Sequence, residues 1–281
     1  MKVITKPNIT AEDAFSTCIS KVKNVDLKAR LTACEDLISQ AEAEFESKIT
    51  KGDIHTICKE EIVNGNVTAK ELETVYTGRM VGKGAPGRTI YDKLISVPKY
   101  GICPLCSHGH VSTLDHYLPK SNFPRLAVAP INLIPSCFDC NKYKLTTSPS
   151  KPEEETLHPY YDNIEDVQWL YAQVSHTTPP TISFFVKPLD SWSDLLKARL
   201  QHHFQSFSLA KLYTKEAAVC ISDLNQRLQS IHSSSGAIGV HKYLRDEAIS
   251  RCADNKNSWR TAFYFAIADD DWFCNGGFQI Q

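Results

Sequence analysis

Two cysteine pairs separated by thirty residues constrain this chain more than any other feature of its sequence. Cys103 and Cys106 form one C-x-x-C pair, and Cys137 and Cys140 form the second. Two thiolates at this spacing bind one ion from a single tight turn, and two such turns complete the four-sulfur tetrahedron that zinc prefers in structural sites. The sequence therefore predicts a structural Zn²⁺ site, although a single C-x-x-C pair is also typical of redox proteins.

The remaining cysteines and the N-terminus indicate the compartment. The N-terminal residues lack the apolar core of a signal peptide, and no apolar run approaches the roughly 18 residues of a membrane span. Ten cysteines in such a chain indicate reduced thiols and metal ligands rather than a disulfide framework. We therefore expect a cytoplasmic protein with no membrane association, and small core residues at the six scattered positions Cys18, Cys34, Cys58, Cys220, Cys252 and Cys274.

The pattern of apolar residues divides the 281-residue chain into three regions. Apolar side chains spaced three and four residues apart predict helix over roughly 10–50, and Thr10 and Asp13 mark the start of a short helix that precedes the main apolar stripe. A second helix is expected over 69–79. A strand-like run covers 181–186, helices follow from Ser191, and a break is expected at Ser233–Gly236. We expect an α+β fold that is mainly α, with a helical N-terminal region 1–95, a zinc-stapled module 96–163 and a helical C-terminal region 164–281.

Asp115 and His116 are adjacent in a run that leads out of the strand-like segment 110–114. Neighbouring side chains on extended backbone diverge, so one can bind a cation while the other faces a reacting centre. A carboxylate suits Mg²⁺ or Mn²⁺, and a neutral imidazole suits removal of a proton from water. Asn141, after the last zinc cysteine, adds an oxygen ligand. The alternative is that Asp115 caps a turn and His116 is an ordinary core histidine.

The segment Cys103–Lys144 resembles the HNH endonucleases, also called ββα-metal nucleases, in their zinc-stabilised form. The pattern is C-x-x-C, then D-H-x-x-P-K-S, then N-L-x-P-x-C-x-x-C-N-x-x-K. The resemblance implies that Asp115 binds a catalytic Mg²⁺ or Mn²⁺ and that His116 is the general base. It further implies that Asn132 ties the loop that orients the base, and that Asn141 binds the metal.

A second element follows the zinc-stapled module. The sequence His158-Pro159-Tyr160-Tyr161-Asp162 resembles an element found after the module in some bacterial HNH proteins. The resemblance implies that His158 contacts the metal or the scissile phosphate, with Asp162 as a weaker candidate. The alternative is a buried, hydrogen-bonded histidine that packs on the aromatic rings beside it.

The charge distribution favours a nucleic-acid substrate. The whole chain has a net charge of −1, which excludes a globally basic nucleic-acid coat protein. Residues 79–144 nevertheless carry nine lysines and arginines against three aspartates, a local charge of +6. Such a local basic surface is what binding to a phosphate backbone requires. We expect phosphate contacts from Lys120, Lys142 and Lys144; the alternative is a solvated loop surface.

The sequence as a whole predicts a divalent-metal-dependent DNA endonuclease. Two alternatives stay open: a non-catalytic zinc module that binds nucleic acid or a protein, and an RNase with the same centre. An HNH module between long helical flanks is also similar to the nuclease subunits of bacterial anti-phage systems such as the Septu type. That resemblance implies a defence role and an ATPase partner subunit.

Overall fold

The computed structural model describes residues 1–279 and divides the chain into two compact units, Lys2–Asp162 and the part from Asn163 onward. The described residues form α-helices and three separate two-stranded antiparallel sheets. This mixed, mainly helical architecture is compatible with the expected α+β class. Within the described residues, no helix combines the length and apolar character that crossing a membrane requires.

The first unit begins with three helices, where the sequence predicts a short helix from Thr10 and a further helix within the region 10–50. They are α1 (Ala11–Ile19), α2 (Val25–Thr32) and α3 (Glu35–Ile49). The predicted cap at Thr10 is confirmed, because its side chain accepts a hydrogen bond from the backbone N–H of Asp13. Asn24 caps α2 in the same way by accepting from the N–H of Leu27. These caps favour new helix starts over one continuous helix.

A small hairpin and two further helices follow. Strands β1 (Ile62–Val63) and β2 (Val67–Thr68) pair antiparallel and lead directly into α4 (Ala69–Tyr76). Thr68 and Glu71 form a reciprocal capping box at the start of α4. The helix continues as a π-helical turn over Thr77–Val81, and α5 spans Arg88–Ile95.

The zinc-stapled segment contains a second hairpin and a short helix. Strand β3 (Thr113–His116) pairs antiparallel with β4 (Leu133–Ser136), which places His116 opposite Leu133. Helix α6 (Phe138–Lys144) begins immediately after Cys137. The predicted strand over 110–114 forms only in part, because β3 begins at Thr113 and continues through Asp115 and His116.

The second unit is a hairpin packed against helices. Strands β5 (Leu170–Ser175) and β6 (Thr181–Val186) pair along their full length, and the predicted strand over 181–186 is confirmed. The helices are α7 (Asp194–Ser206), α8 (Leu209–Asp254) and α9 (Trp259–Ala268). The buried amide of Asn257 ties the start of α9 to the hairpin, because its oxygen accepts from the N–H of Trp169 at 2.8 Å.

Helix α8 is interrupted at Gly236, where the sequence predicts a break. The guanidinium of Arg227 lies 5.7 Å from the ring centre of Tyr243. These residues would be about 24 Å apart along a straight helix, so the chain reverses between them. Gly236 has φ 62° and ψ −163°, a conformation that is essentially restricted to glycine. The parts of α8 before and after Gly236 therefore form an antiparallel helical hairpin.

The six scattered cysteines only partly match the prediction of small core residues. Cys18, Cys34 and Cys274 are buried, whereas Cys220 and Cys252 are partly exposed. Cys58 is exposed, so the prediction is wrong for this residue. It lies in an irregular segment ahead of β1, where no packed helix face covers its side chain.

Candidate metal centre and adjoining cleft

The four predicted zinc ligands form one buried cluster. Cys103, Cys106, Cys137 and Cys140 are all buried, and their sulfur atoms lie within 4.8 Å of one another. The sulfurs of Cys106 and Cys137 are 3.8 Å apart, far beyond the roughly 2.05 Å of a disulfide bond. A tetrahedral site with Zn–S bonds of about 2.3 Å has sulfur–sulfur edges of about 3.8 Å. The donor set and its spacing therefore suit a zinc ion.

A tight loop brings the first cysteine pair against α6. The backbone N–H of Cys103 donates to the carbonyl of Gly109 at 2.7 Å, and the N–H of Gly109 donates to the sulfur of Cys106 at 3.3 Å. A Cβ atom at position 109 would lie 2.9 Å from the sulfur of Cys137. Only glycine permits this approach. Hydrogen bonds with Cys103 lower the pKa of Cys137, which favours the thiolate that binds metal.

A cleft of about 470 Å³ adjoins the cluster on the same unit. Its walls come from α4 and the π-helical turn, from the end of β3, and from α6 with the residues that follow it. The structure brings four of the predicted site residues together along this cleft: Asp115, His116, Lys120 and Asn141.

One ring nitrogen of His116 is hydrogen-bonded to the backbone. Its Nε2 lies 2.8 Å from the carbonyl oxygen of Ala127. A carbonyl only accepts hydrogen bonds, so Nε2 carries the proton and Nδ1 of the neutral ring keeps a lone pair. Burial lowers the pKa of His116 to about 3, and Lys120 and Lys144 lower it further by charge repulsion. The imidazole is therefore neutral at neutral pH.

Asp115 lies beside a buried ammonium group. Burial raises the pKa of Asp115 to about 6, while the positive charge of Lys144 opposes that rise. The Lys144 Nζ lies 3.9 Å from Oδ2 of Asp115 and donates a hydrogen bond to the carbonyl of His116. Burial lowers the pKa of Lys144. The structure thus places Lys144 inside the site rather than on the open surface expected for a phosphate contact.

Asn132 is buried and binds the backbone of the loop between β3 and β4. Its side-chain oxygen accepts from the N–H of Leu118 at 2.7 Å. Its amide nitrogen donates to the carbonyls of Leu118 at 3.0 Å and Leu126 at 3.1 Å. Leu126 precedes Ala127, whose carbonyl holds His116. The amide therefore fixes the loop that carries the acceptor for the imidazole.

Tyr76 is a site residue that the sequence analysis missed. Its ring packs edge-on against His116 with 4.4 Å between ring centres, and its hydroxyl donates to the carbonyl of Leu114 at 3.1 Å. Burial raises the pKa of Tyr76, so the hydroxyl remains a donor. The sequence indicates only that Tyr76 lies within the predicted helix 69–79. Its approach to His116 depends on tertiary packing.

His158 lies apart from the cleft residues, within a buried group of aromatic rings. Its ring centre is 4.5 Å from that of Tyr117 and 4.9 Å from that of Tyr161. Its Nδ1 accepts from the N–H of Tyr160 at 3.2 Å. The carboxylate of Asp162 accepts from the backbone N–H of His158 at 2.7 Å, which closes the turn. The structure does not bring His158 or Asp162 into the cleft with Asp115 and His116.

The other two predicted phosphate contacts have different settings. Lys120 lines the cleft, and its Nζ lies 5.8 Å from the ring centre of Tyr76. Lys142 is exposed on α6, one residue after Asn141. Lys120 therefore lies inside the cleft, and Lys142 lies on the exposed surface of α6.

Comparison with known proteins finds a similarity that extends over nearly the whole chain. No protein-family model matches the chain, and no solved structure matches it. The chain is similar to "Protein ea31" of Escherichia phage lambda, with 28% identity over an alignment of 299 residues. The alignment covers 98% of this chain and 100% of that protein, and the name of that protein states no activity. The similarity therefore extends over both units rather than the cysteine-containing segment alone.

Proposed function

We propose that this protein is a divalent-metal-dependent endonuclease of the HNH, or ββα-metal, type that hydrolyses phosphodiester bonds in DNA. One observation carries the proposal: Asp115, His116 and Asn141 line the same cleft beside a buried four-cysteine cluster. The order of the elements also supports it, because an antiparallel hairpin is followed directly by a short helix. A zinc ion bound by the four cysteines would hold the loop and α6 together.

The carboxylate of Asp115 and the amide oxygen of Asn141 are the groups that would hold the catalytic ion. Both are hard oxygen donors, which Mg²⁺ and Mn²⁺ prefer. When bound, the ion neutralises charge that develops on the phosphate and the leaving oxygen. Lys144 competes with such an ion for Asp115, because its ammonium lies 3.9 Å from that carboxylate.

His116 supplies the base. Its Nδ1 accepts a proton from water while the water oxygen forms a bond to phosphorus and the bond from phosphorus to the leaving sugar oxygen breaks. The leaving oxygen takes its proton from solvent. The negative charge of a bound phosphate raises the pKa of the imidazole, which makes it a stronger base in the complex than in the free protein. Asn132 and the carbonyl of Ala127 keep the ring oriented.

A cleavage assay tests the proposal. Supercoiled plasmid DNA and an RNA of equal length are incubated with the protein and Mg²⁺ or Mn²⁺. We expect plasmid nicking that stops with excess chelator, and we expect Asp115→Asn to reduce it while Asp139→Asn, an exposed aspartate on α6, does not. Cleavage of RNA alone would favour the RNase alternative. Binding without cleavage of either polymer would favour the non-catalytic zinc module.

The defence role and the ATPase partner remain proposals that rest on the resemblance to anti-phage nuclease subunits. Co-purification of the natively expressed protein with an ATPase subunit would support both. A protein that is fully active alone would argue against a required partner.

A further inference from the structure

Helix α6 presents a mixed stripe of apolar and polar side chains beside the cleft. The Phe138 side chain is 66% exposed and Leu145, directly after the helix, is 68% exposed. Positions 138, 141, 142 and 145 follow the spacing of three and four residues that places side chains on one helix face. Asn141 and Leu145 both line the cleft. This stripe, formed by Phe138, Asn141, Lys142 and Leu145, therefore runs from the cleft along α6.

The end of the stripe is held in a strained conformation. Leu145 has φ 51° and ψ −136°, in the positive-φ region that residues with a side chain rarely adopt. Such strain persists only where the surrounding structure enforces it, and it concentrates at functional sites. Leu145 lines the cleft in this conformation.

We infer that the stripe binds the bases of an unpaired DNA strand and leads that strand into the cleft. This inference rests on the proposed nuclease function. Exposed aromatic side chains beside cations are the elements with which proteins bind single strands, because every base offers a face for stacking. Phe138 and Leu145 offer apolar surface, and the exposed ammonium of Lys142 lies between them to contact a phosphate.

Charge agrees with this occupant. Lys120 lines the cleft and Lys142 is exposed on the stripe, and these cations favour a polyanion over an uncharged or basic partner. A duplex hides its base faces by stacking, so Phe138 gains contact area from an unpaired strand that a regular duplex does not offer.

Binding measured without catalysis tests the stripe. The full chain carrying His116→Ala is titrated, with no added Mg²⁺ or Mn²⁺, into a labelled 15-nucleotide DNA strand and into the duplex of the same sequence. We expect the single strand to bind at least about tenfold tighter. Phe138→Ala should weaken single-strand binding by at least about fivefold and duplex binding by less than about twofold.

Tyr143→Ala is the matched control. Tyr143 is 49% exposed on the same helix but lies off the stripe, five residues from Phe138, so its removal should leave single-strand binding within about twofold. Equal affinity for strand and duplex would overturn the inference, as would an unchanged single-strand affinity in Phe138→Ala. An equal loss of duplex and single-strand affinity in Phe138→Ala would also overturn the inference, since that result indicates that Phe138 inserts into paired DNA.

The two proposals fail in different ways. If the wild-type protein cleaves no nucleic acid but Phe138→Ala selectively weakens single-strand binding, the nuclease proposal fails and the stripe stands. If the wild type cleaves DNA while Phe138→Ala changes neither binding nor strand preference, the stripe fails and the nuclease proposal stands.

Discussion

The ammonium nitrogen of Lys144 lies 3.9 Å from Oδ2 of Asp115, with both side chains buried. At an effective dielectric constant of about 20, this separation corresponds to an attraction of about 4 kcal/mol before desolvation is subtracted. The pair therefore offsets part of the cost of burying the carboxylate, whose pKa burial still raises to about 6. In the proposed function the same carboxylate binds a divalent cation, so the lysine and the ion compete for it.

Removal of this lysine should strengthen binding of the divalent ion. In a His116→Ala background, we expect Lys144→Gln to raise the affinity for Mn²⁺ by about tenfold, because Asp115 loses its competing cation. Isothermal titration calorimetry measures the change. Lys142→Gln, on the same helix but exposed, is the control and should leave the affinity unchanged. An unchanged or weaker affinity in Lys144→Gln would contradict the competition.

The four-cysteine cluster should hold about one zinc per chain and stabilise the first unit. Cys137→Ser removes one ligand, and Gly109→Ala forces a Cβ atom to 2.9 Å from the sulfur of Cys137. We expect both variants to lose most of their zinc and to unfold at a lower temperature. Metal analysis by mass spectrometry and thermal melting measure these effects. Cys58→Ser, at an exposed cysteine outside the cluster, should keep full zinc content; normal zinc in Cys137→Ser would rule out the four-sulfur site.

Tyr76 should act by positioning His116. Tyr76→Leu removes the ring that lies 4.4 Å from the imidazole, so we expect a fall in the cleavage rate of about tenfold at unchanged zinc content. Tyr76→Phe keeps the ring and should retain most activity, with about 1 kcal/mol less stability from the lost hydrogen bond to Leu114. Single-turnover rates and urea unfolding separate the two effects. Equal rates for wild type and Tyr76→Leu would show that the ring has no positioning role.

The ion pair of Glu71 and Arg30 should make stability depend on pH. Hydrogen bonds from Arg30 and from the backbone of Thr68 lower the pKa of Glu71 to about 2. Because the folded pKa is below the unfolded value, the contribution is complete above about pH 4.5 and disappears as the pH falls through about 2. Both side chains are partly exposed, so screening reduces the contribution to about 1 kcal/mol.

Glu71→Gln should therefore lower the free energy of unfolding by about 1 kcal/mol at pH 7, and the difference from wild type should vanish towards pH 2. The comparison between the two proteins isolates this pair, because loss of zinc in acid affects both. Glu61→Gln, at an exposed glutamate, is the control. A difference that stays constant down to pH 2 would exclude ionisation of Glu71 as its cause.

The features that could be predicted from sequence are those that depend on residues close together along the chain. The cysteine spacing predicts the cluster that forms, Thr10 predicts the start of α1, and the serine-rich run predicts the break at Gly236. In each case the chemistry of a few neighbouring residues determines the backbone locally. The sequence indicates a short first helix but not the break between α2 and α3, because the apolar stripe of Leu27, Leu31 and Ile38 continues through that break.

Residues whose positions depend on tertiary packing could not be predicted in this way. Tyr76 precedes His116 by forty residues, so only the folded chain reveals their contact. Lys144 lies on a short polar helix, where a lysine normally faces solvent, but its flexible stem carries the ammonium inward to Asp115. His158 has the sequence context of a site residue, yet its aromatic neighbours pack around it away from the cleft.

The most direct test of the proposed nuclease compares His116→Ala with wild type at equal zinc content and saturating Mn²⁺. We expect the variant to cleave plasmid DNA at least about a hundredfold more slowly, because a general base contributes about that much or more. His110→Ala, at an exposed histidine of the same unit, should cleave at the wild-type rate. Cleavage by His116→Ala at a rate comparable to wild type would contradict the assignment of His116 as the base.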